Sequence, residues 1–416
     1  MAGKEKNKFI NTVILSQCFG QLASLSFTNG IMFNYFDSLN CSDSTLIVLL
    51  KIPNFAGMFL MLPIAFFADT YGKKVLGQWG NLIQICGLGF LIAAPFFEGM
   101  QIVTLFVGVS VFAVGAALFN SSWFALLDPL MKPEERGTFF AKMRACWKSF
   151  GIMFTFLVQY LLGVEGPAIL TQILIFILIM MIARIYYYHR IPELEKPDKE
   201  KRKSVKFFSE IRLIFQNKKI YKFSGYRFAY PLLTGCIALL FNLYEKKFMI
   251  FSPADIVFMG NLMFIGGIGG LWVGAKMTKR YSEFQIFMIC TTIISVCGIL
   301  FPLHIYLPVP ELIYAGFVTL VFGCFSAAMG IAYTSLMLSL LPPERKSLAS
   351  AFFVGLSQLG IACSGIFAAV FVKKDWGFIE QYAGFNNIYS IILLCSVIPL
   401  PVVTWALTKN LKSENS

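Results

Sequence analysis

The chain has 416 residues, 57% hydrophobic and only 14% charged, with a formal net charge of +13. Soluble domains carry about 25% charged residues. The deficit, with the apolar residues gathered in long runs, excludes a disordered chain, a collagen-like fibre, a coiled coil and a secreted disulfide scaffold. A membrane-spanning helix needs about 20 mostly apolar residues. Twelve such helices would take up about 240 residues, close to the whole apolar content.

Hydropathy predicts spans over 9–35, 46–68, 75–96, 101–127, 138–163 and 167–189. A second set follows over 223–248, 255–275, 284–304, 310–340, 347–372 and 385–408. The fold class implied is an all-α integral membrane protein of twelve helices in two pseudo-symmetric six-helix bundles. The bundles cover 1–189 and 223–416. Between them, 190–222 opens on Pro192-Glu-Leu-Glu-Lys-Pro197-Asp-Lys-Glu-Lys-Arg-Lys203 and reads as a solvated linker. Val205, Phe208, Ile211 and Phe215 then recur at helical spacing, as in a short amphipathic helix on a membrane surface.

Thirty of the 35 Lys and Arg fall in the tails, in the alternate loops beside them and at the neighbouring helix ends, with Arg184 and Arg227 counted among them. That bias places both termini and the linker in the cytoplasm. It also accounts for the +13 without nucleic acid. Nine of the ten cysteines lie inside apolar runs and only Cys41 in a loop, so they act as small hydrophobes rather than bridges. The first apolar run is longer than a leader's and ends in no small-residue cleavage site, so no removable leader is expected.

The halves repeat at an offset of 209. Pro133, Glu135 and Arg136 map onto Pro342, Glu344 and Arg345, and Asp69–Lys74 map onto the basic stretch Thr278–Glu283. Two parallel six-helix halves are a transporter architecture with the substrate site near the midplane.

On these residues the chain resembles the major facilitator superfamily. Ala65-Phe-Phe-Ala-Asp69-Thr-Tyr-Gly72-Lys73-Lys74 is similar to that family's signature between spans two and three, G-x-x-x-D-R-x-G-R-K. Ala65 and Thr70 depart from it; Asp69, Gly72, Lys73 and Lys74 match. The family's glycine-rich antiporter signature on span five is not matched by Gly151, Gly163 and Gly166-Pro167. The resemblance implies alternating access, with Asp69 docked at the start of span eleven as a latch. Gly72 would allow the turn, and Lys73 or Lys74 would pair with acids such as Asp128. Arg136 and Arg345 complete the expected gating set.

Polar residues inside spans usually face a cavity or the bundle interior. On span five Arg144, Lys148, Gly151, Thr155 and Gln159 share a helical face, with Lys148 about 13 Å in from Phe139 at 1.5 Å per residue. Gln17 and Gln21 share a face of span one, and Lys51 and Asn54 lie on span two, where Lys51 can also snorkel to the surface. Asn120 on span four, Tyr230 and Asn242 on span seven, Tyr333 on span ten, and Ser357 and Gln358 on span eleven complete the candidate substrate set. The bland reading of the Ser, Thr and Gly stripes is helix packing.

No Asp or Glu is expected deep in a span; Glu245 reads as lying toward the outside. The cavity is then net positive, which favours an anionic organic solute. A neutral sugar or nucleoside comes next, then a lipophilic compound. No cofactor or metal is implied, and no catalytic constellation is visible. The expected partners are a small solute, with or without a coupling ion, and the bilayer of a plasma or bacterial inner membrane. A monomer is expected. A transporter-like sensor that moves nothing is the reading from another class.

Overall fold

A computed structural model describes residues 3–127, 133–193, 218–340, 346–374, 382 and 384–412. These residues form helices and turns, with no strand among them. In chain order the helices are α1 (Gly3–Ser26), α2 (Ile31–Ser38), α3 (Asp43–Tyr71), α4 (Lys73–Ala93), α5 (Gln101–Leu127), α6 (Pro133–Glu165) and α7 (Leu170–His189). Then come α8 (Lys218–Thr234), α9 (Ile237–Lys247), α10 (Pro253–Met277), α11 (Glu283–Leu300), α12 (Glu311–Leu340), α13 (Lys346–Lys373), α14 (Ile388–Val397) and α15 (Pro399–Lys412). The expected amphipathic helix around 205–215 lies outside the described residues.

Three expected spans are each two helices. The first breaks after Ser26, where the backbone N–H groups of Thr28 and Asn29 both donate to the Leu25 carbonyl and Gly30 takes φ 80°. The seventh breaks at Gly235–Cys236, with the Gly235 N–H bonded to the Pro231 carbonyl. The last breaks at Ile398, before Pro399 and Pro401. The offset of 209 carries Ser26 onto Gly235, so the first and seventh spans are interrupted at equivalent positions.

Ten stretches of the described residues are long and apolar enough to cross a membrane. One of them, Lys142–His189, runs 48 residues and holds the end of α6 and all of α7, joined by a 3-10 turn at Gly166–Ile169. Helix α1 is not among the ten. Lys4, Glu5, Lys6 and Lys8 occupy its first turns, and Gln17 and Gln21 dilute the rest. A count of twelve therefore needs α1 and the division of the long stretch.

The chain forms two compact units. One comprises Met1–Cys41 with Ile52–Val205, the other Ser42–Lys51 with Lys206–Ser416. The segment Ser42–Lys51, which opens α3, therefore belongs to the second unit, and the unit boundary falls within this helix just before Pro53.

Within the first unit α4 and α5 meet along a glycine seam. A Cβ on Gly80 would lie 2.7 Å from the Phe119 backbone nitrogen, and one on Gly115 2.6 Å from the Gln84 nitrogen. Gly266, Gly270 and Gly274 of α10 meet α12 in the same way in the second unit. Small residues at such spacing let backbones approach, which is the main attraction available between helices in lipid. An aromatic core of Phe119, Trp123 and Tyr188 lies between α5 and α7, with Val13 and Phe9 of α1 packed on it.

All ten cysteines are free. Cys41 is buried, and burial, with the Asp37 carboxylate as a second cause, pushes its thiol up to about 11. Cys41 should therefore react slowly with maleimide in folded protein at neutral pH, compared with the same residue in denaturant-unfolded protein. Mass spectrometry of labelled protein reads this directly.

Candidate functional site

In the first unit, α6 carries the basic stripe. It runs from Pro133 to Glu165, and Lys148 lies about 13 Å along it from Phe139. Arg144 is exposed and Lys148 half-buried, with the Lys148 ammonium 6.0 Å from the centre of the Trp147 ring. Higher on the same helix the character changes. A Cβ on Gly151 would come within 3.0 Å of Leu25 on α1. Thr155 is buried, and its hydroxyl donates to the Gly151 and Ile152 carbonyls, each at 3.1 Å. The stripe thus divides into a basic end and a packing seam, while Gln159 is half-buried beyond them.

Gln17 is buried and its Oε1 has no hydrogen-bond partner; Gln21 and Asn54 are half-buried and Asn120 is exposed. At the turn between α3 and α4, Gly72 has φ 96°, in the region that favours glycine. Lys73 and Lys74 are half-buried. The Lys74 backbone N–H donates to Glu193 Oε1 at 3.1 Å, so a carboxylate sits at the positive N-terminus of α4. Glu193, not foreseen from sequence, is the acid shown there. Asp128 and Arg345 lie outside the described residues, as do the side chains of Asp69 and Arg136.

In the second unit, Lys51 does not reach for the surface. Its Nζ donates to the Gly235 carbonyl at 2.6 Å, at the interruption between α8 and α9. Around it the start of α3 is tied down. Asp43 pairs with Lys247 and accepts a 2.5 Å hydrogen bond from the Tyr389 hydroxyl, and Ser44 donates to the Ala369 carbonyl at 3.0 Å.

Tyr230 and Tyr333 belong to a ring cluster. Their centroids are 6.2 Å apart, with Tyr226 at 5.8 and 6.0 Å from them and Phe287 at 6.2 Å from Tyr333. Arg227 joins this cluster. It is buried, its guanidinium lies 4.0 Å from the centre of the Tyr333 ring, and its Nε donates to the Phe353 carbonyl at 3.1 Å. The Ser357 hydroxyl donates to the Arg227 and Phe353 carbonyls at 3.3 and 3.2 Å. Gln358 and Asn242 are half-buried.

Three charged groups are buried inside their units, which the sequence reading did not foresee. Arg227 is a core residue of the ring cluster. Arg184, counted with the loop charges, is 3% exposed inside the first unit. Glu245 is fully buried, and neither carboxyl oxygen has a hydrogen-bond partner. The signal that could have found Arg184 is its place within the apolar run of α7.

No curated protein sequence matches the chain. Among solved structures, a mutant of the nucleoside transporter NupG aligns with TM-score 0.73 at 14% identity, over 96% of this chain and 99% of that one. A bacterial homologue of the iron transporter ferroportin, in an inward-facing state, aligns with TM-score 0.70 at 13% identity, over 96% and 98%. A POT family transporter in complex with a thioalcohol-conjugated peptide aligns with TM-score 0.74 at 12% identity, over 97% and 96%. At these identities the likeness establishes the fold. The sequence profile of the Major Facilitator Superfamily matches residues 14–365. That match, the apolar helices and the transporter fold together place the chain in the major facilitator superfamily, as a multi-pass membrane transporter and not an enzyme.

Proposed function

We propose that the protein is a secondary transporter or facilitator of a small polar organic solute, with a preference for anions, working by alternating access between two six-helix bundles. The observation that carries this is the pair of interruptions at Ser26–Gly30 and Gly235–Cys236, at equivalent positions of the two halves. Interrupted helices in corresponding places are where such transporters bind solute, because the breaks free backbone groups at mid-membrane. Arg144 and Lys148 supply the positive charge. Arg144 offers a planar fork to a carboxylate or phosphate ester, and Lys148 a point charge deeper in the helix. The Lys and Arg distribution favours cytoplasmic termini, and the chain acts as a monomer.

A thermal-shift panel of organic acids, phosphate esters, nucleosides and sugars identifies the ligand class, since a solute at 100 times its Kd stabilises by about 2.7 kcal/mol. Uptake into proteoliposomes then separates a transporter from a sensor. Lys148→Ala should abolish most of the ligand-induced shift, while Lys142→Ala, nearer the helix start, should keep it. Equal shifts in both variants would remove Lys148 from the site. A neutral nucleoside or sugar is the second reading, favoured by the Tyr226, Tyr230 and Tyr333 rings. It predicts a shift with uridine or a hexose that survives Lys148→Ala.

The latch at Asp69 is part of the same proposal. Asp69→Asn should slow uptake several-fold and leave solute affinity within about twofold, because a remote latch biases the conformational equilibrium rather than the contacts. Loss of binding in a folded Asp69→Asn protein would rule the latch out.

A further inference from the structure

Arg184 lies five residues before the end of α7. Its guanidinium carbon sits 3.6 Å from the centre of the Phe119 ring, and one terminal nitrogen reaches the Met181 sulfur at 3.7 Å. Its Nε has no hydrogen-bond partner, and no described carboxylate pairs with it. The chain leaves room for this side chain: a Cβ on Gly20 of α1 would fall inside it. A cation buried without a countercharge is costly, and it is usually paired or neutralised.

The surroundings are unsatisfied as well. Both amide atoms of Asn81 on α4 are buried without partners, as is Trp123 Nε1 on α5. On α1 the same holds for Ser16 Oγ and Gln17 Oε1, one turn before Gly20. Several of these groups border one aromatic core. The Trp123 ring stacks on Phe119 at 5.1 Å and on Tyr188 at 6.0 Å, and Tyr188 is one turn beyond Arg184. A Cβ on Gly80, beside Asn81, would lie 2.7 Å from the Phe119 backbone nitrogen. Native interiors leave few buried polar atoms unpaired. Here four helices of one unit carry them, and Arg184 packs on the Phe119 ring of the same unit.

We propose that the site beside Arg184 binds one small monovalent anion of the halide class. The N–H groups of Arg184, Trp123 and Asn81 are donors suited to a spherical anion. One buried positive charge calls for one negative charge. Ser16 is a hydroxyl and can turn its O–H inward, and the Gln17 amide can turn its NH₂. The rival filling is ordered water, which also satisfies buried polar groups but leaves the charge uncompensated.

The test uses purified full-length protein in detergent without transport solute. Melting temperature is compared in sodium chloride, sodium bromide and sodium gluconate at equal ionic strength. The expected result is a saturable stabilisation by chloride and bromide over gluconate, lost in Arg184→Met. Trp123→Phe keeps the ring between Phe119 and Tyr188 and removes one N–H. It should raise the halide concentration needed several-fold, and it carries the test if Arg184→Met does not fold. In bromide-soaked crystals an anomalous peak is expected within hydrogen-bond reach of Arg184 Nε and Trp123 Nε1. Identical melting in bromide and gluconate, a halide response unchanged by Trp123→Phe, or crystals with no bromide beside Arg184 would overturn the proposal and leave water as the filling. Because no solute is used, failure here is separate from failure of the transport reading.

Discussion

Gly87→Ala is expected to destabilise the protein by about 1–3 kcal/mol or more, while Gly89→Ala, two residues along the same helix, is expected to leave stability unchanged or slightly raised. A Cβ on Gly87 would lie 2.7 Å from the Phe112 Cα and 2.8 Å from the Gly108 carbonyl oxygen. Both are backbone atoms, so no side-chain rotation can make room. The helices α4 and α5 would have to part, and in lipid their close packing is most of what holds them. A Cβ on Gly89 meets nothing within 4 Å. The second unit offers the same comparison. Gly270→Ala would drive a methyl onto the Cys324 main chain of α12, whereas Gly269 faces open space. Thermal unfolding of purified variants reads the result as a drop of several degrees at Gly87 and Gly270 against little change at Gly89 and Gly269. Equal melting temperatures within each pair would show that the seams are looser than these contacts imply.

The helices themselves were legible because an apolar run bounded by charges has few alternatives to a membrane span. Span four, read as 101–127, is α5 residue for residue. The interruptions were less legible. Asn29-Gly30, Pro231 with Gly235, and Pro399 with Pro401 all carry breaking residues, yet Pro53 and Pro63 sit inside an unbroken α3. Proline marks where a helix can yield, and the neighbours decide whether it does. The division of α3 between units had no sequence signal, since it depends on distant partners of Asp43, Ser44 and Lys51.

The polar groups show the same limit. Helical periodicity grouped Arg144, Lys148, Gly151 and Thr155 on one face, and they do share it. It could not say that Gly151 meets α1 and Thr155 is buried while Arg144 stays exposed, because that depends on the tilt of α6. Burial inside the protein was not legible where charge suggests a surface residue. Arg184 and Arg227 were assigned to loop ends by their charge, yet an aromatic ring accepts a guanidinium in the interior. Phe119 and Tyr333 supply those rings, and neither is near its arginine in sequence.

Lys51→Met is expected to cost about 1.5–3 kcal/mol, the range for a hydrogen bond to a charged group. The Gly235 carbonyl lies where α8 gives way to α9, and it receives the Lys51 ammonium at 2.6 Å. Methionine keeps the apolar stem and removes the donor. The size of the loss would show how far this bond holds the interruption in place. Gly365→Ala approaches the same contact from the other side. A Cβ there would lie 2.5 Å from Lys51 Cγ and 3.0 Å from its Cβ, displacing the stem and with it the ammonium. If both variants act by breaking the Lys51–Gly235 bond, the double variant should lose little more stability than the worse single one, since coupled sites are non-additive. Losses that simply add would mean Gly365→Ala acts by crowding α13 alone. A Lys51→Met protein as stable as the parent would mean the Gly235 carbonyl finds another donor, and that Lys51 is available to a solute after all.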